Sequence, residues 1–478
     1  MRPSVVTFTA LVTLVPGLAR AQETPTERDA ARSVVHQLDS LERSLNVTAM
    51  VARLTGPNAP RDAVAARAKE LMDKELLALG DDITRHPEIG FEETRSVGLL
   101  VDYLRKHDFD VKMGVGDLKT AFVARYTKSS GSPNLGVILE YDALRGTKGA
   151  FHGDQHSTQG PIGIAAAVAV AEYLTRTKTP GTVVVFGAPG EEMMPPNAKT
   201  VMYDAGTFNG MDVLVRSHST SATTRAAPGF GTCCMNIDGA KYTFFGAPAH
   251  QLTAWNGRNA LEAVIHLFNN IDAIRSNLRP EARIQGVITE GGAAPNVVPD
   301  KTAADFYIRY PDEVYLAQET EMVDNAARAA ALATGTQVKI DHYGHNRDGV
   351  GVATLDELAF AYMKKFGATG VLPEPGKPQG YEETGSVSSN IPGVGFSAKT
   401  SNAPNHTYEM EADALTEVGH SGFVVDAQAM ASLLFDFATH PEYRATVKRE
   451  FDTIKGLHND YLEALRRVYV VPKVVGAR

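Results

Sequence analysis

The sequence predicts an α/β protein in which a larger domain with a mostly parallel central sheet carries a smaller inserted α+β domain. Apolar β-branched runs such as Gly181 to Phe186 are typical of strands that are buried on both faces. Strands and helices alternate between residues 61 and 230, as they do around a parallel sheet. From about residue 230 the pattern changes to two strands, a helix, two strands and a second helix, which indicates a separate small unit.

Length and charge limit the number of domains and the kinds of partner. The chain has 478 residues, enough for two or three domains, and its formal net charge of −9 argues against nucleic acid as a partner. No long apolar run follows the N-terminus, so no membrane span is expected. We expect a signal peptide at 1–21, a helical segment at 22–60, the larger domain in two parts at 61–230 and 343–478, and the inserted domain at 231–342.

The first 21 residues have the pattern of a secretory signal peptide. Arg2 gives a positive start, Val5 to Leu18 is mostly apolar, and Ala19-Arg20-Ala21 is a small-x-small cleavage site. We therefore expect cleavage after Ala21 and a secreted protein, located in the bacterial periplasm.

The two cysteines, Cys233 and Cys234, are adjacent in a predicted strand. Neighbouring side chains of a strand point to opposite faces, so a disulfide between them is not expected. We predict two buried thiols, with a vicinal pair or a reactive thiol as the alternative.

The remaining elements follow in chain order. In the larger domain, helices are predicted at 61–79, 96–106, 161–174, 356–366 and 414–469, and strands at 110–113, 120–126, 134–141, 181–186, 211–216 and from 393. In the inserted domain, antiparallel strands joined by a glycine turn are predicted at 232–238 and 241–246, further strands at 283–289 and 303–309, and helices at 259–274 and 318–334.

Side chains that can bind a metal follow three predicted strands and one later apolar stretch. In chain order they are Asp154 and His156, Glu192, His218 and His406. Each alone has an ordinary structural interpretation, but the carboxyl ends of parallel strands meet at one edge of a sheet. Mixed histidine and carboxylate ligands suit Zn²⁺, Mn²⁺ or a related divalent ion. Because one ion needs about four ligands, this set can hold one ion, or two if Asp154 bridges them.

Glu191, directly before Glu192, is predicted to be a general base. If Glu192 binds metal, Glu191 is a free carboxylate that can take a proton from a metal-bound water and pass it to a leaving group. This arrangement suits metal-assisted hydrolysis of an amide. A solvated acidic turn is the ordinary interpretation of a Glu-Glu pair, and the other strand-end ligands count against it.

Eight short motifs run in order from about residue 80 to 410. They are His86-Pro-Glu-Ile-Gly-Phe-Glu-Glu, Glu140-Tyr-Asp-Ala-Leu, Gly187-Ala-Pro-Gly-Glu-Glu, Phe245-Gly-Ala-Pro-Ala-His250, Gly291-Gly-Ala-Ala-Pro-Asn-Val-Val-Pro299, Ala331-Leu-Ala-Thr-Gly-Thr336, Thr384-Gly-Ser-Val-Ser388 and His406-Thr407. On these motifs the chain resembles the M20 family of metallopeptidases and amidohydrolases, and within it the aminoacyl and acyl-amino-acid amidohydrolase branch that includes p-aminobenzoyl-glutamate hydrolase. The resemblance implies a zinc-peptidase-like catalytic domain that is split around an inserted, ferredoxin-like lid domain used for dimerisation.

The same resemblance implies roles for single residues. Glu191 matches the general base, and the metal-ligand positions of the family fall on His156, Glu192, His218 and His406. His250 matches a lid histidine that reaches the active site, often that of the partner subunit, and helps to hold the scissile carbonyl oxygen. Asn296 and Arg309 match lid positions near the substrate.

The chain departs from the branch pattern at two places. Asp154-Gln-His156 stands where the branch usually has Cys-Gly-His, so a hard carboxylate replaces a thiolate, which favours Mn²⁺, Co²⁺ or Zn²⁺. Glu383-Thr384-Gly385 stands where the branch usually has Thr-Asp-x-Gly. We therefore expect the acidic residue there to be displaced and its support of the metal ligands to be weakened.

Together these features predict a secreted metal-dependent amidohydrolase that cleaves a small N-acyl amino acid or aminoacyl conjugate, as a homodimer through the lid domain. The expected cofactor is one or two divalent ions, Zn²⁺ or Mn²⁺ first and Co²⁺ or Ni²⁺ as further options. One alternative is a dipeptidase or carboxypeptidase that uses the same chemistry. The other is a non-catalytic metal or ligand binder, which would have no need to retain Glu191.

Overall fold

The computed structural model describes residues 24–193 and 197–469, so the predicted signal peptide at 1–21 lies outside the described residues. The helices are α1 Pro25–Leu45, α2 Val47–Leu54, α3 Ala59–Leu71, α4 Leu77–Thr84, α5 Thr94–Lys106, α6 His156–Thr177, α7 Ala198–Asp204, α8 Ala260–Ile274, α9 Glu313–Thr334, α10 Ala353–Lys365, α11 Tyr408–Ala414, α12 Glu417–Thr439 and α13 Pro441–Val468. The strands are β1 Phe109–Met113, β2 Phe122–Tyr126, β3 Asn134–Leu139, β4 Leu144–Gly146, β5 Gly149–Phe151, β6 Thr182–Gly187, β7 Val213–Ser217, β8 Gly229–Gly231, β9 Asn236–Phe245, β10 Arg283–Glu290, β11 Lys301–Tyr310, β12 Gln337–Asn346, β13 Gly349–Gly351 and β14 Gly393–Phe396. Among the described helices, none is long and apolar enough to cross a membrane.

The central sheet has the strand order β1-β2-β6-β3-β7-β14. The strands β6, β3, β7 and β14 run parallel, and β2 and β1 add an antiparallel edge. Every residue of β6 is buried, because α6 packs against β6 and β3 on a sheet that is covered on both faces. The predicted α/β class with a mostly parallel central sheet is confirmed.

The inserted unit is a four-stranded antiparallel sheet in the order β10-β11-β9-β12, against which α8 and α9 pack together. Its chain order of strand, helix, two strands, helix and strand is ferredoxin-like. The prediction of two strands joined by a glycine turn before α8 is wrong, because Asn236–Phe245 is one continuous strand. A Cβ atom at Gly239 would lie 2.6 Å from the Tyr343 carbonyl oxygen, so this glycine permits close approach to β12 and does not form a turn.

The prediction of buried thiols is also wrong, since Cys233 and Cys234 form a vicinal disulfide and are exposed. They lie in a bend between β8 and β9, and Met235 after them has a left-handed φ of 70°. The bend removes the alternation of side chains that a strand would impose, so the two sulfur atoms can meet.

Both ends of the described chain meet on the inserted domain. α1 packs along α13, and the carboxylate of Glu27 accepts hydrogen bonds from Arg279 Nη1 at 2.7 Å and from the Tyr469 hydroxyl at 2.6 Å. The Arg279 guanidinium also lies over the Tyr469 ring, 4.5 Å from its centroid. Burial raises the pKa of Glu27, but the hydrogen bonds from Arg279, Tyr469 and Thr24 outweigh burial and lower the pKa to about 2. This contact ties the inserted domain to the terminal helices.

We expect Glu27→Gln to lower the thermal midpoint of unfolding near pH 7, because it removes charge-assisted hydrogen bonds worth about 1–3 kcal/mol. The folded-state pKa of about 2 lies below the ordinary value of 4.5, so the carboxylate contributes fully above that value and loses its contribution as the pH falls towards 2. The difference in midpoint from the wild type should therefore shrink on acidification. Glu463→Gln, which removes an exposed ion pair with Arg466, is the control and should have little effect at any pH. A difference that persists unchanged at about pH 2 would contradict a role for the charge.

Candidate metal centre

Two carboxylates leave the end of β6 in a sharp turn. β6 ends at Gly187, and Gly190 in the turn has a left-handed φ of 61°. A Cβ atom at Gly190 would lie 2.5 Å from the Phe91 ring, so both the backbone and the space require glycine. The turn places Glu191 and Glu192 at the carboxyl edge of the central sheet, where open α/β sheets bind their ligands.

The other predicted ligands converge on the same edge. His218 directly follows β7, and His156 is the first residue of α6. Asp154 lies just before that helix, and His406 comes from the loop after β14, where its backbone N–H donates to Asp154 Oδ1 at 3.3 Å. The structure thus brings together every residue that the sequence predicts as a metal ligand.

Their ligand atoms form two adjoining groups, each compact enough for one ion. One group is Asp154, Glu192 and His406, the other is Glu140, His156 and His218, and within each group the ligand atoms lie within 4.8 Å of one another. In the first group, His406 Nε2 lies 3.0 Å from Asp154 Oδ2 and 3.9 Å from Glu192 Oε2. His156 also groups with Glu191 and Glu192 in the same way, so the two sites share a boundary.

His156 is oriented so that one ring nitrogen stays available. Its Nδ1 lies 3.0 Å from Asp142 Oδ1, and Asp142 Oδ2 accepts the backbone N–H of Glu192 at 2.9 Å. His156 Nε2 is buried and has no hydrogen-bond partner among the described residues. A buried nitrogen without a partner is costly, and a carboxylate behind a histidine is the usual way to orient a metal ligand.

The acidic side chains at this edge crowd one another. Burial raises the pKa of Glu192 to about 8, and the negative charges of the nearby Asp154 and Asp142 contribute to the rise. Burial raises the pKa of Glu191 well above its ordinary value, and the negative charges of Glu383 and Glu140 contribute to the rise. Buried carboxylates this close are stabilised by a cation, and mixed nitrogen and oxygen donors suit a divalent ion such as Zn²⁺ or Mn²⁺. The residues present therefore fit the predicted cofactor.

A buried ion cluster lies behind the ligands, and the sequence motifs do not reveal it. The cluster consists of Glu140, Lys199, Arg216 and Glu383. Lys199 Nζ pairs with both carboxylates, and Arg216 Nη1 lies 3.0 Å from Glu140 Oε1 and 3.1 Å from Glu383 Oε2. Glu140 Oε2 in turn lies 3.5 Å from His156 Nε2. The changed register of the acidic residue at 383 does not remove it from the site, because Glu383 pairs with the same two cations as Glu140.

Four further residues of the site, Glu140, Asp142, Lys199 and Arg216, are not among the predicted ligands, and they differ in whether a local sequence pattern indicates them. Glu140 and Asp142 follow β3, so the rule that ligands sit at carboxyl ends of parallel strands applies to them as it does to Glu192. Lys199 and Arg216 lie on α7 and β7, and no local pattern links them to Glu140.

Among the described residues, the lid residues predicted to act on substrate are not part of the metal-ligand groups. His250 is exposed and forms an isolated β-bridge with Val297, beside the exposed Asn296. Arg309 lies on β11, where Nη1 donates to the carbonyl oxygen of Cys234 at 3.2 Å. In the described parts of the chain, no hydrogen bond or ion pair joins these three residues to the metal ligands. Only His250 and Asn296 are brought together.

The parallel sheet with a histidine and carboxylate edge, together with a separate ferredoxin-like lid, defines a two-domain α/β metalloenzyme. Residues 235–334 match the M20 peptidase dimerisation domain. The chain is 29% identical over 409 residues to the Xaa-Arg dipeptidase of Homo sapiens, a match that covers 80% of this chain and 91% of that protein. It is 31% identical over 328 residues to a subunit of the p-aminobenzoyl-glutamate hydrolase of Escherichia coli K12, covering 64% of each.

The fold is also similar to a dinuclear metal-binding peptidase of the M20 family from Bacillus subtilis. The TM-score is 0.51 at 17% identity, and the match covers 77% of this chain and 98% of that one. These similarities confirm the resemblance to the M20 family of metallopeptidases and amidohydrolases that the motifs indicate, and the chain is a metal-dependent hydrolase of amide or peptide bonds.

We expect Asp154→Ala to weaken metal binding by roughly tenfold or more, because it removes a ligand and the partner that holds His406. Elemental analysis of the purified protein and titration with Mn²⁺ or Zn²⁺ would measure this. Asp110→Ala, at an exposed position of β1, is the matched control and should leave metal content unchanged. If Asp154→Ala also keeps wild-type metal content, Asp154 is not a ligand.

Proposed function

We propose that this enzyme is a secreted amidohydrolase that cleaves a small N-acyl amino acid or aminoacyl conjugate, with Glu191 as general base. The observation that carries the proposal is the different surroundings of two adjacent carboxylates. Glu192 is fixed through its backbone to Asp142 and joins the Asp154 and His406 group. Glu191, on the same turn, remains as the carboxylate that can move a proton.

The chemistry assigned to Glu191 follows from where it lies. Burial, with Glu383 and Glu140, raises its pKa and so increases its affinity for a proton. A carboxylate in this state accepts the proton of the attacking water and delivers it to the departing amine nitrogen. A divalent ion held by the two ligand groups would supply Lewis-acid polarisation of the scissile carbonyl.

Two adjoining ligand groups support a centre of one or two ions, with Zn²⁺ or Mn²⁺ as the proposed metal and Co²⁺ or Ni²⁺ as further options. The substrate class rests on the similarity to p-aminobenzoyl-glutamate hydrolase. A dipeptidase is the second candidate, because the similarity to the Xaa-Arg dipeptidase extends over 91% of that protein. The proposed export rests on the signal-peptide pattern of residues 1–21.

We also propose that the enzyme works as a homodimer through the lid domain, with His250 acting at the partner's metal centre. The match of residues 235–334 to a dimerisation domain supports the dimer. The lid also carries large exposed apolar side chains, with Leu252 and Trp255 each 76% exposed and Val287 63% exposed. His250, two residues from Leu252, is exposed on this part of the lid, and no hydrogen bond or ion pair among the described residues joins it to the ligands of its own chain.

A turnover screen of the mature protein, loaded in turn with Mn²⁺, Zn²⁺ and Co²⁺, tests the substrate class. The panel should contain N-acyl amino acids, aminobenzoyl-glutamate and dipeptides. We expect the highest kcat/KM among the first two groups. Faster cleavage of dipeptides would establish the second candidate, and bound metal with no turnover on the whole panel would identify a non-catalytic binder. N-terminal sequencing of the exported protein, expected to begin at Gln22, tests the signal peptide.

The base and the lid histidine can be tested together. Glu191→Gln and His250→Ala should each keep metal content near that of the wild type while lowering turnover, by roughly 10²-fold or more for the base. Mixed dimers that contain one chain of each variant should regain activity, because one of their two sites combines an intact Glu191 with an intact partner histidine. Glu281→Gln, at an exposed lid position, is the control and should change neither property. Near-normal turnover of Glu191→Gln refutes the base assignment, and failure of mixed dimers to regain activity refutes a role for His250 across the dimer.

A further inference from the structure

Lys199 is a buried lysine next to the general base. Its side chain is only 2% exposed, at the start of the short helix α7. A lysine is rarely buried this deeply unless its charge is compensated. Here two carboxylates pair with the ammonium group, that of Glu140, which is buried, and that of Glu383, which is 12% exposed.

The ion cluster holds Lys199 from several elements at once. Glu140 follows β3, Arg216 lies on β7, and Glu383 lies in the loop before β14. Arg216 binds the same two carboxylates as Lys199. The cluster therefore contains two positive and two negative groups, and each positive group pairs with both negative ones. Gln159 Nε2 adds a hydrogen bond to Glu140 Oε2 at 2.7 Å. The ammonium group is therefore fixed in place.

The cluster uses only part of the donor capacity of Lys199. An ammonium group has three N–H donors, and Glu140 and Glu383 account for two of them. A cavity of about 20 Å³ is lined by Lys199 and by Glu191, together with Glu383, Asn197 and Asn346. Such a volume accommodates one water molecule, and these polar neighbours supply the partners that a buried water needs.

The Glu191 carboxylate lacks a direct support of this kind. No hydrogen bond from another residue within 24–193 or 197–469 reaches it, whereas the Glu192 backbone is held by Asp142 and the Glu140 carboxylate by three side chains. A general base has to keep its reacting oxygen in one place, because an ångström of displacement costs much of the rate.

We propose that Lys199 positions the Glu191 carboxylate through one water molecule in this cavity, and that the ion cluster serves to hold Lys199 there. The water accepts a hydrogen bond from Lys199 Nζ and donates one to Glu191, which leaves the other carboxylate oxygen free to face the substrate. Lys199 is thus a positioning residue and does not touch the substrate. This inference rests on the proposed role of Glu191 as the base.

Charge-matched variants separate positioning from stability. Lys199→Met alone leaves a carboxylate of the cluster without its cation and should lower the midpoint of unfolding. Lys199→Met combined with Glu383→Gln restores the balance of charges, so the midpoint should return towards that of Glu383→Gln alone. We expect kcat of the double variant to stay at least tenfold below that of Glu383→Gln, with KM and metal content unchanged. A double variant that matches Glu383→Gln in kcat would overturn the proposal, because Lys199 would then contribute only to stability.

Crystal structures of the wild type and the double variant give a readout that does not depend on turnover. We expect an ordered water within hydrogen-bond distance of both Lys199 Nζ and Glu191 in the wild type, and a displaced Glu191 carboxylate in the variant. A wild-type structure without this water, or a Glu191 in the same position in both, would overturn the proposal. If the wild type cleaves none of the amides tested, the proposed function fails, and the two crystal structures still decide the role of Lys199.

Discussion

The site depends on one electrostatic constraint, which is that several carboxylates buried at one edge of the sheet must be neutralised. The chain meets it in two ways. Its own cations, Lys199 and Arg216, pair with Glu140 and Glu383, whereas Glu192 belongs to a group with Asp154 and His406 that can hold a metal ion. Glu191 lies beside both the ion cluster and the metal-ligand groups. Within the described parts of the chain, no ion pair with another residue neutralises its carboxylate. The different roles proposed for Glu191 and Glu192, adjacent on one turn, rest on this division.

The fold makes this concentration of charge possible and confines it. Parallel strands end at one edge, so residues that are distant in sequence reach one point, and buried β6 fixes the turn that presents the two glutamates. The lid has its own hydrophobic core, separate from the core of the larger domain. Its surface can therefore contact a partner subunit without disturbing the ligands. The contact of Glu27 with Arg279 and Tyr469 limits the orientation of the lid relative to the terminal helices.

How much could be predicted from the sequence follows from the range of each interaction. The buried run of β6 and the ligands at strand ends are local patterns, so the sheet, Glu192 and His218 could be predicted from the residues themselves. The pairing of Lys199 with Glu383 joins elements far apart in the chain, and only the folded structure shows it. Short-range errors had another cause. Glycine at 239 is typical of a turn but here permits close strand packing, and Cys233 and Cys234 lie in a bend, where the alternation of a strand does not hold.

The replacement of the usual thiolate by Asp154 has a structural consequence as well as an effect on metal preference. His406 is 61% exposed and has a left-handed φ of 64°, so this candidate ligand needs to be held in place. A carboxylate has two oxygens, and Asp154 uses one to accept the His406 backbone N–H and the other to approach its ring. A single sulfur could not do both with the same geometry, and a thiolate is open to oxidation, which a carboxylate is not. The Asp154 carboxylate therefore also organises the loop that carries the candidate ligand His406.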